Sequence, residues 1–338
     1  MNCRNSLLLY IVAAVLLSVV SCRQQQAPIV AVEYKRDFPV DTAIILQEIP
    51  MEMPTVPALP CRLGNRLVVV GSYQTAYLYT YPDLRLVRSC QLPPFASHSV
   101  MGDELYLESQ GKVDVYRLDH SDSLVLARSF RTVDVPYSVG KVQPLGKDTY
   151  IFTGGFDIDG THEYHIVNLE TGKWTSGGTF PEPSSARFKR LKDFQVAYYH
   201  SIFVKPDRSA FVVTYGGVRR IHIYGADGDL RHALHLDYEP NNNHLVELDY
   251  DRRFGHCMGA FVTDRYIYTV NPEQKLDRPE PHGDILVLDW EGNLKARYRL
   301  DMYIDGIVVD EERKVILGCG DKGKGKGRQF FRFDLLHI

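Results

Sequence analysis

The stretch IHIYGADGDLRHALHLD, Ile221 to Asp237, returns in other words as ILVLDWEGNLKARYRLD, Ile285 to Asp301, and the two align without a gap. Each is an alternating apolar segment, an Asp-Gly or Glu-Gly turn, a Leu, and a second segment closing on Leu-Asp. Apolar side chains at every second position on both sides of a turn dipeptide specify a β-hairpin, and its repetition points to an array of like units. Ahead of these hairpins lies a second kind of pair, two apolar strands joined by a tight polar turn. It occurs six times: CRLGNRLVVVGSY around Asn65, SVMGDELYLES around Asp103, VQPLGKDTYIFTG around Asp148, SIFVKPDRSAFVVTY around Asp207, GAFVTDRYIYTV around Asp264 and GIVVDEERKVILG around Asp310. An outer hairpin follows each of the first five copies, whereas the sixth ends in FFRFDLLHI, Phe330 to Ile338, one strand short. DTAIILQEI, Asp41 to Ile49, is an apolar strand that precedes the first copy with no hairpin of its own, and it fits the gap.

The spacing predicts an all-β fold: a six-bladed β-propeller of four-stranded antiparallel blades, closed by the N-terminal strand pairing with the C-terminal blade. The turn residues lie about 38 to 59 residues apart, near the period of propeller blades. A two-sheet sandwich would account for short strands but not for six similar units with a spare strand at the start. The excess length sits in PEPSSARFKRLKDFQ, Pro181 to Gln195, and EPNNNHLVELDYDRRFGH, Glu239 to His256, which flank the fourth blade. The 21 Tyr and 15 Phe, with Val and Thr in short runs, favour strands throughout. A net charge of -3 offers no basic face for nucleic acid.

The N-terminus is a different kind of segment. Arg4 precedes LLLYIVAAVLLSVV, Leu7 to Val20, an apolar run of signal-peptide length that is short for a spanning helix. Val19-Val20-Ser21-Cys22 resembles the lipobox of bacterial lipoproteins, and that resemblance implies cleavage before Cys22 and lipidation of its thiol. Residues 1–21 are then a lipoprotein signal peptide, 22–40 a polar tether and 41–338 the propeller. Export leaves Cys61, Cys90, Cys257 and Cys319 where disulfides can form; no pair has the spacing of a zinc or redox motif, which reads as buried free thiols, and sequence does not choose among the pairings.

Several motifs read as structure. GDKGKGKGR, Gly320 to Arg328, approaches a phosphate loop but has Gly327 where Ser or Thr would hold the metal, and a strand follows instead of a helix. FDIDGTHEYH, Phe156 to His165, lacks calcium-loop spacing and places a hairpin turn at Asp159-Gly160. RFKRLK, Arg187 to Lys192, is a solvated charged loop. His98, His200, His256 and Asp305 differ from these, because each stands a few residues ahead of an inner turn, where a propeller aims side chains at its axial channel. They are the channel-mouth candidates, and a divalent metal is the cofactor such a set could hold.

The lipobox, inner pairs such as SIFVKPDRSAFVVTYG and DGIVVDEERKVILGCG, and outer pairs such as IHIYGADGDL together resemble the TolB-like six-bladed propeller lipoproteins of Bacteroidales. The resemblance implies the fold, the export, the lipid anchor and a Gram-negative cell envelope, and carries no catalytic motif. Surface export in that group goes with acidic residues after the cysteine, and Arg23-Gln24-Gln25-Gln26 has none, which favours the periplasmic face. The expectation is a monomeric, membrane-anchored envelope lipoprotein whose propeller is a non-enzymatic binding or scaffold module for a protein or glycan partner. The alternative is a metal-dependent hydrolase, lactonase or lyase in the axial channel. No Gly-x-Ser-x-Gly elbow and no His-Glu-x-x-His are present.

Overall fold

The computed structural model describes residues 29–33, 47–49, 60–71, 74–132, 140–153, 162–180, 198–237, 254–272, 274–275, 282–300, 302–321 and 328–335. They form six four-stranded antiparallel blades, the fold read from the sequence. The first blade is Pro60–Leu63, Arg66–Gly71, Thr75–Thr80 and Leu86–Gln91; the second is Ser97–Met101, Glu104–Ser109, Lys112–Leu118 and Leu124–Arg131. The third is Gln143–Pro144, Thr149–Phe152, Tyr164–Asn168 and Trp174–Gly177; the fourth is His200–Val204, Ala210–Tyr215, Arg220–Gly225 and Leu230–Asp237. The fifth is Gly259–Val262, Tyr266–Asn271, Gly283–Asp289 and Leu294–Leu300. The sixth is Tyr303–Asp310, Val315–Asp321 and Arg328–Asp334, with Gln47–Ile49 as its outermost strand.

Gln47–Ile49 lies antiparallel to the last strand, with Gln47 opposite Arg332 and Ile49 opposite Phe330. The earlier part of the proposed closing stretch, 41–46, falls outside the described residues. Ile29–Glu33, inside the polar stretch read as a tether, is a strand pairing in parallel with the outer strand of the fourth blade, from Ile29 opposite Ala233 to Glu33 opposite Asp237. The inner strands lie side by side in chain order, and the sixth returns to the first.

The core is not one mass. Apolar side chains gather into six clusters, each formed by two adjacent blades: Leu63, Val68 and Leu105 between the first and second, for example, and Leu67, Val69, Leu317 and Phe330 between the sixth and first. This arrangement explains why the second strand of the first blade, Arg66–Gly71, reads as an unbroken apolar run. Leu67 and Val69 face one neighbouring blade, Val68 and Val70 the other, so both faces of the sheet are buried and alternation disappears. Alternation survives in the outer strand of the fifth blade, Leu294–Leu300, where buried Ala296, Tyr298 and Leu300 alternate with more exposed neighbours, whereas in the second blade Leu124–Arg131 is exposed along most of its length.

The repeated hairpin has a backbone reason. Gly228 and Gly292 have φ of +87° and +81°, the left-handed region that a short hairpin needs at its last turn position. The equivalent positions of the first, second and third outer hairpins are Leu84, Asp122 and Gly172, all with positive φ. A one-residue bulge follows in the fourth and fifth blades, between Ile223 and Tyr224 and between Val287 and Leu288. Asp310 departs from its reading as a turn residue: it ends the strand Tyr303–Asp310 and is buried, and the turn itself is residues 311–314.

Antiparallel order within each blade sorts the connections. The turns joining first to second and third to fourth strands open on one face of the ring, the turn face. The connections joining second to third strands, and one blade to the next, open on the other, the connection face. By chain order Pro181 to Gln195 and the segment after Asp237 start and finish on the connection face. The motifs at Arg187 to Lys192, at Asp159-Gly160 and in the middle of Gly320 to Arg328 fall outside the described residues, as does Cys22. All four cysteines Cys61, Cys90, Cys257 and Cys319 are free thiols, the last two buried.

Candidate functional site

A cavity of about 420 Å³ runs down the axis of the ring, and every blade contributes its inner strand to the wall. Cys61, His98, Lys141, Phe203, Phe261 and Ile307 line it, one from each blade in turn. Cys61 and His98 come from the beginnings of their strands and Lys141 from just ahead of the third blade's inner strand, at the connection face, whereas Gly64, Gly102 and Asp103 mark the turn end. The site is therefore graded from a polar end toward apolar walls of Val100, Met101, Phe261 and Val262.

Three titratable groups meet at the polar end. The Cys61 thiol donates to the carbonyl of Val68 at 3.3 Å, and burial pushes its pKa up to about 12 against the pull of the Lys141 charge. The thiol keeps some surface on the channel, yet protein surrounds it, so the low dielectric prevails. His98 packs edge-on against Phe95, with ring centroids 5.8 Å apart, and burial, helped by Lys141, holds its pKa down at about 4. Burial also lowers the pKa of Lys141, whose Nζ sits 5.2 Å from the centroid of the Phe203 ring. At neutral pH the thiol and the imidazole are uncharged.

Gln143 fastens the third blade to the fourth across the channel wall. Its amide donates to the Ile202 carbonyl at 2.6 Å and accepts from the Val204 N–H at 2.8 Å, doing with a side chain what an inner strand of only two residues cannot do with backbone.

Of the other sequence candidates, His200 is turned off the axis. Its Nδ1 faces the Tyr198 carbonyl and its Nε2 the Glu163 carbonyl, each at 2.7 Å, which leaves no ring lone pair aimed at a ligand. His256 is buried at the seam of the fourth and fifth blades, where its N–H donates to the Gly216 carbonyl at 2.9 Å. Asp305 lies in the inner strand of the sixth blade, and its side chain is outside the described residues. The structure thus places His98 on the cavity and does not gather His200 and His256 with it. Among the described residues no three His, Cys, Asp or Glu side chains stand close enough to share a metal ion. Lys141 escaped the sequence reading, although the rule that selected His98 lands on it: a polar side chain seven residues ahead of the third inner turn at Asp148.

Two further charge clusters lie away from the axis. Glu163 is fully buried between the third and fourth blades and accepts three hydrogen bonds: from the Tyr215 hydroxyl, the Tyr224 hydroxyl and His222 Nδ1, the last at 2.6 Å. Burial first, then the Glu163 charge, pushes the Tyr224 hydroxyl pKa up, which keeps it a donor. Gly178, with φ +76°, makes room for this carboxylate; a Cβ there would collide with Oε2. Asp310 is held between the sixth and first blades by Tyr81 at 3.0 Å, Arg62 at 3.4 Å and the Arg313 guanidinium and N–H, both at 2.9 Å. Burial would raise its pKa, but the Arg313 bonds, with Tyr81 and Arg62, hold it below the ordinary value.

The sequence of residues 72–312 matches the family described as TolB-like 6-blade propeller-like. Among solved structures, a DUF4221 family member from Bacteroides vulgatus is similar at a TM-score of 0.52 and 9% identity, covering 87% of this chain and 98% of that one. The Cps50 (Swd1) β-propeller domain of Myceliophteria thermophila aligns at a TM-score of 0.44 and 14% identity, over 85% of this chain and 99% of that one. The RRP9 WD40 repeats align at a TM-score of 0.48 and 9% identity, over 80% and 78%. At these identities the likeness is one of fold. No curated protein matches the sequence.

Proposed function

The chain belongs to the TolB-like six-bladed propeller family, and from that premise we propose that it is a binding module of a bacterial cell envelope, held to the membrane by a lipid on Cys22. In this reading the propeller is a rigid, non-enzymatic scaffold, a monomer on the periplasmic side, and its connection face meets a protein or glycan partner. The observation that carries the reading is the sorting of connections. By strand order every blade-to-blade link, including the two longest, starts and finishes on one face, while short turns occupy the other. Long connections carried on a rigid frame are the segments that most often form a recognition surface. The lipobox supports the anchor.

The anchor is tested by Cys22→Ala in a Gram-negative host. The substituted protein is expected in the soluble fraction, and full retention in the membrane fraction would refute the lipid. The partner is tested by crosslinking in cells followed by the same experiment with residues 182–195 replaced by a Gly/Ser linker. Loss of a reproducible crosslink on replacement supports recognition by the connection face; an unchanged crosslink pattern refutes it.

A further inference from the structure

Lys141 is a cation with no counter-ion among the described residues. It makes no hydrogen bond and no ion pair among them, and its recorded neighbours are the face of Phe203, the Cys61 thiol and the ring of His98. Neither titratable neighbour can neutralise it: the thiol is held protonated by burial, and the imidazole, far from being an anion, is a neutral ring. Among the described residues Asp103 is the carboxylate of the cavity wall, and it stands at the turn end beside Gly64, where a Cβ would approach its Oδ1 to 3.3 Å. The other cation of the wall, Arg62, is engaged by Asp310, by the Gly64 carbonyl and by the Tyr81 ring, 5.0 Å from its Cζ.

An ammonium withdrawn from bulk water without a partner is unfavourable, and proteins either lack such groups or complete them. Here the incomplete charge looks into a cavity of about 420 Å³, a volume within the range of small-molecule sites. Most of the remaining wall is apolar, from Val100, Phe203, Phe261 and Ile307. A single positive charge beside a neutral imidazole suits a single negative charge; a dianion such as phosphate would need donors that this wall does not offer. We propose that the axial channel is a binding site for a small organic monocarboxylate, with Lys141 as its counter-ion, His98 as a second polar contact, and the Phe203 and Phe261 wall around its apolar body. The site opens at the connection-face end of the channel, but its test reads small-molecule binding and not the crosslink to a partner, so either proposal can fail without the other.

The test is calorimetric titration of phenylacetate into the full-length protein in detergent at neutral pH, with phenylacetamide and inorganic phosphate as comparison probes. Phenylacetate is expected to bind saturably, with phenylacetamide and phosphate each weaker by about tenfold or more. Lys141→Met should weaken phenylacetate by about tenfold or more, and Lys141→Arg should restore it to within about threefold. Circular dichroism and thermal unfolding of both variants establish that they are folded, so that a loss is a loss of binding. No saturable phenylacetate binding, equal binding of the amide, tighter binding of phosphate, or unchanged binding by Lys141→Met would each overturn the proposal.

Discussion

Glu163 and Lys141 are both supplied by the third blade, both are taken out of bulk water, and they are treated in opposite ways. Around Glu163 the fold assembles two tyrosine hydroxyls and a histidine from the neighbouring blade, and even removes a side chain at Gly178 to make room. Around Lys141 it assembles an aromatic face, a protonated thiol and a neutral imidazole. A charge that belongs to the architecture is saturated by the architecture. A charge left unsaturated beside a cavity has a different partner in view.

The sharpest way to break this contrast is Glu163→Ala. It strands Tyr215, Tyr224 and His222 at a closed seam, and a loss of about 3 to 5 kcal/mol is expected in denaturant unfolding. A loss below about 1 kcal/mol would mean that the cluster is not structural.

Glu104 supplies the intermediate case. It accepts from Arg128, at 2.8 Å for the Nη2 bond, from Tyr106 and from Arg117, at 2.9 Å for the Nε bond, but both arginines are substantially open to solvent. The Arg128 bond chiefly, with Tyr106 and Arg117, pulls its pKa from 4.5 down to about 2. A folded-state pKa below the unfolded one means that the unfolded chain takes the proton first. This stabilisation is therefore full above pH 4.5 and is lost as pH falls toward 2. With solvent screening the share is on the order of 1 kcal/mol. Glu104→Gln should flatten that part of the acid limb of stability against pH, and an unaltered limb would assign it to other carboxylates.

Lys141→Met should change stability least, leaving it unchanged or raising it by up to about 1 kcal/mol, because an ammonium with no counter-ion among the described residues is replaced by an apolar chain of similar length. Thermal and denaturant unfolding measure it. A loss above about 1 kcal/mol would make Lys141 a structural residue like Glu163 and erase the comparison.

The fold was legible because the outer hairpin places a left-handed residue at a fixed position, and in Gly228 and Gly292 the chain uses the residue that announces it. The first two blades put Leu84 and Asp122 in the same conformation, so their hairpins are visible only through the apolar pattern around them. The channel was legible in part. His98 follows from its distance to the inner turn, but whether such a side chain faces the axis depends on what else competes for it. For His200 the competitor is the Glu163 carbonyl, 37 residues earlier in the chain and on another blade. Lys141 was hidden for a compositional reason, since an isolated lysine near a glycine reads as surface. Glu163 was visible only as a poor calcium ligand, because its three donors come from a different blade.

The division of the apolar interior into six seams also fixes how this molecule would fail. A ring of sheets held by neighbour-to-neighbour seams fails first at one joint, and the product is an arc whose two end blades each bare a flat apolar face. Those faces were partners a moment earlier and remain complementary, so the end of one arc fits the start of another. An open ring at high concentration is thus a building block for head-to-tail polymerisation, and the joint that closes the circle is also what hides both faces.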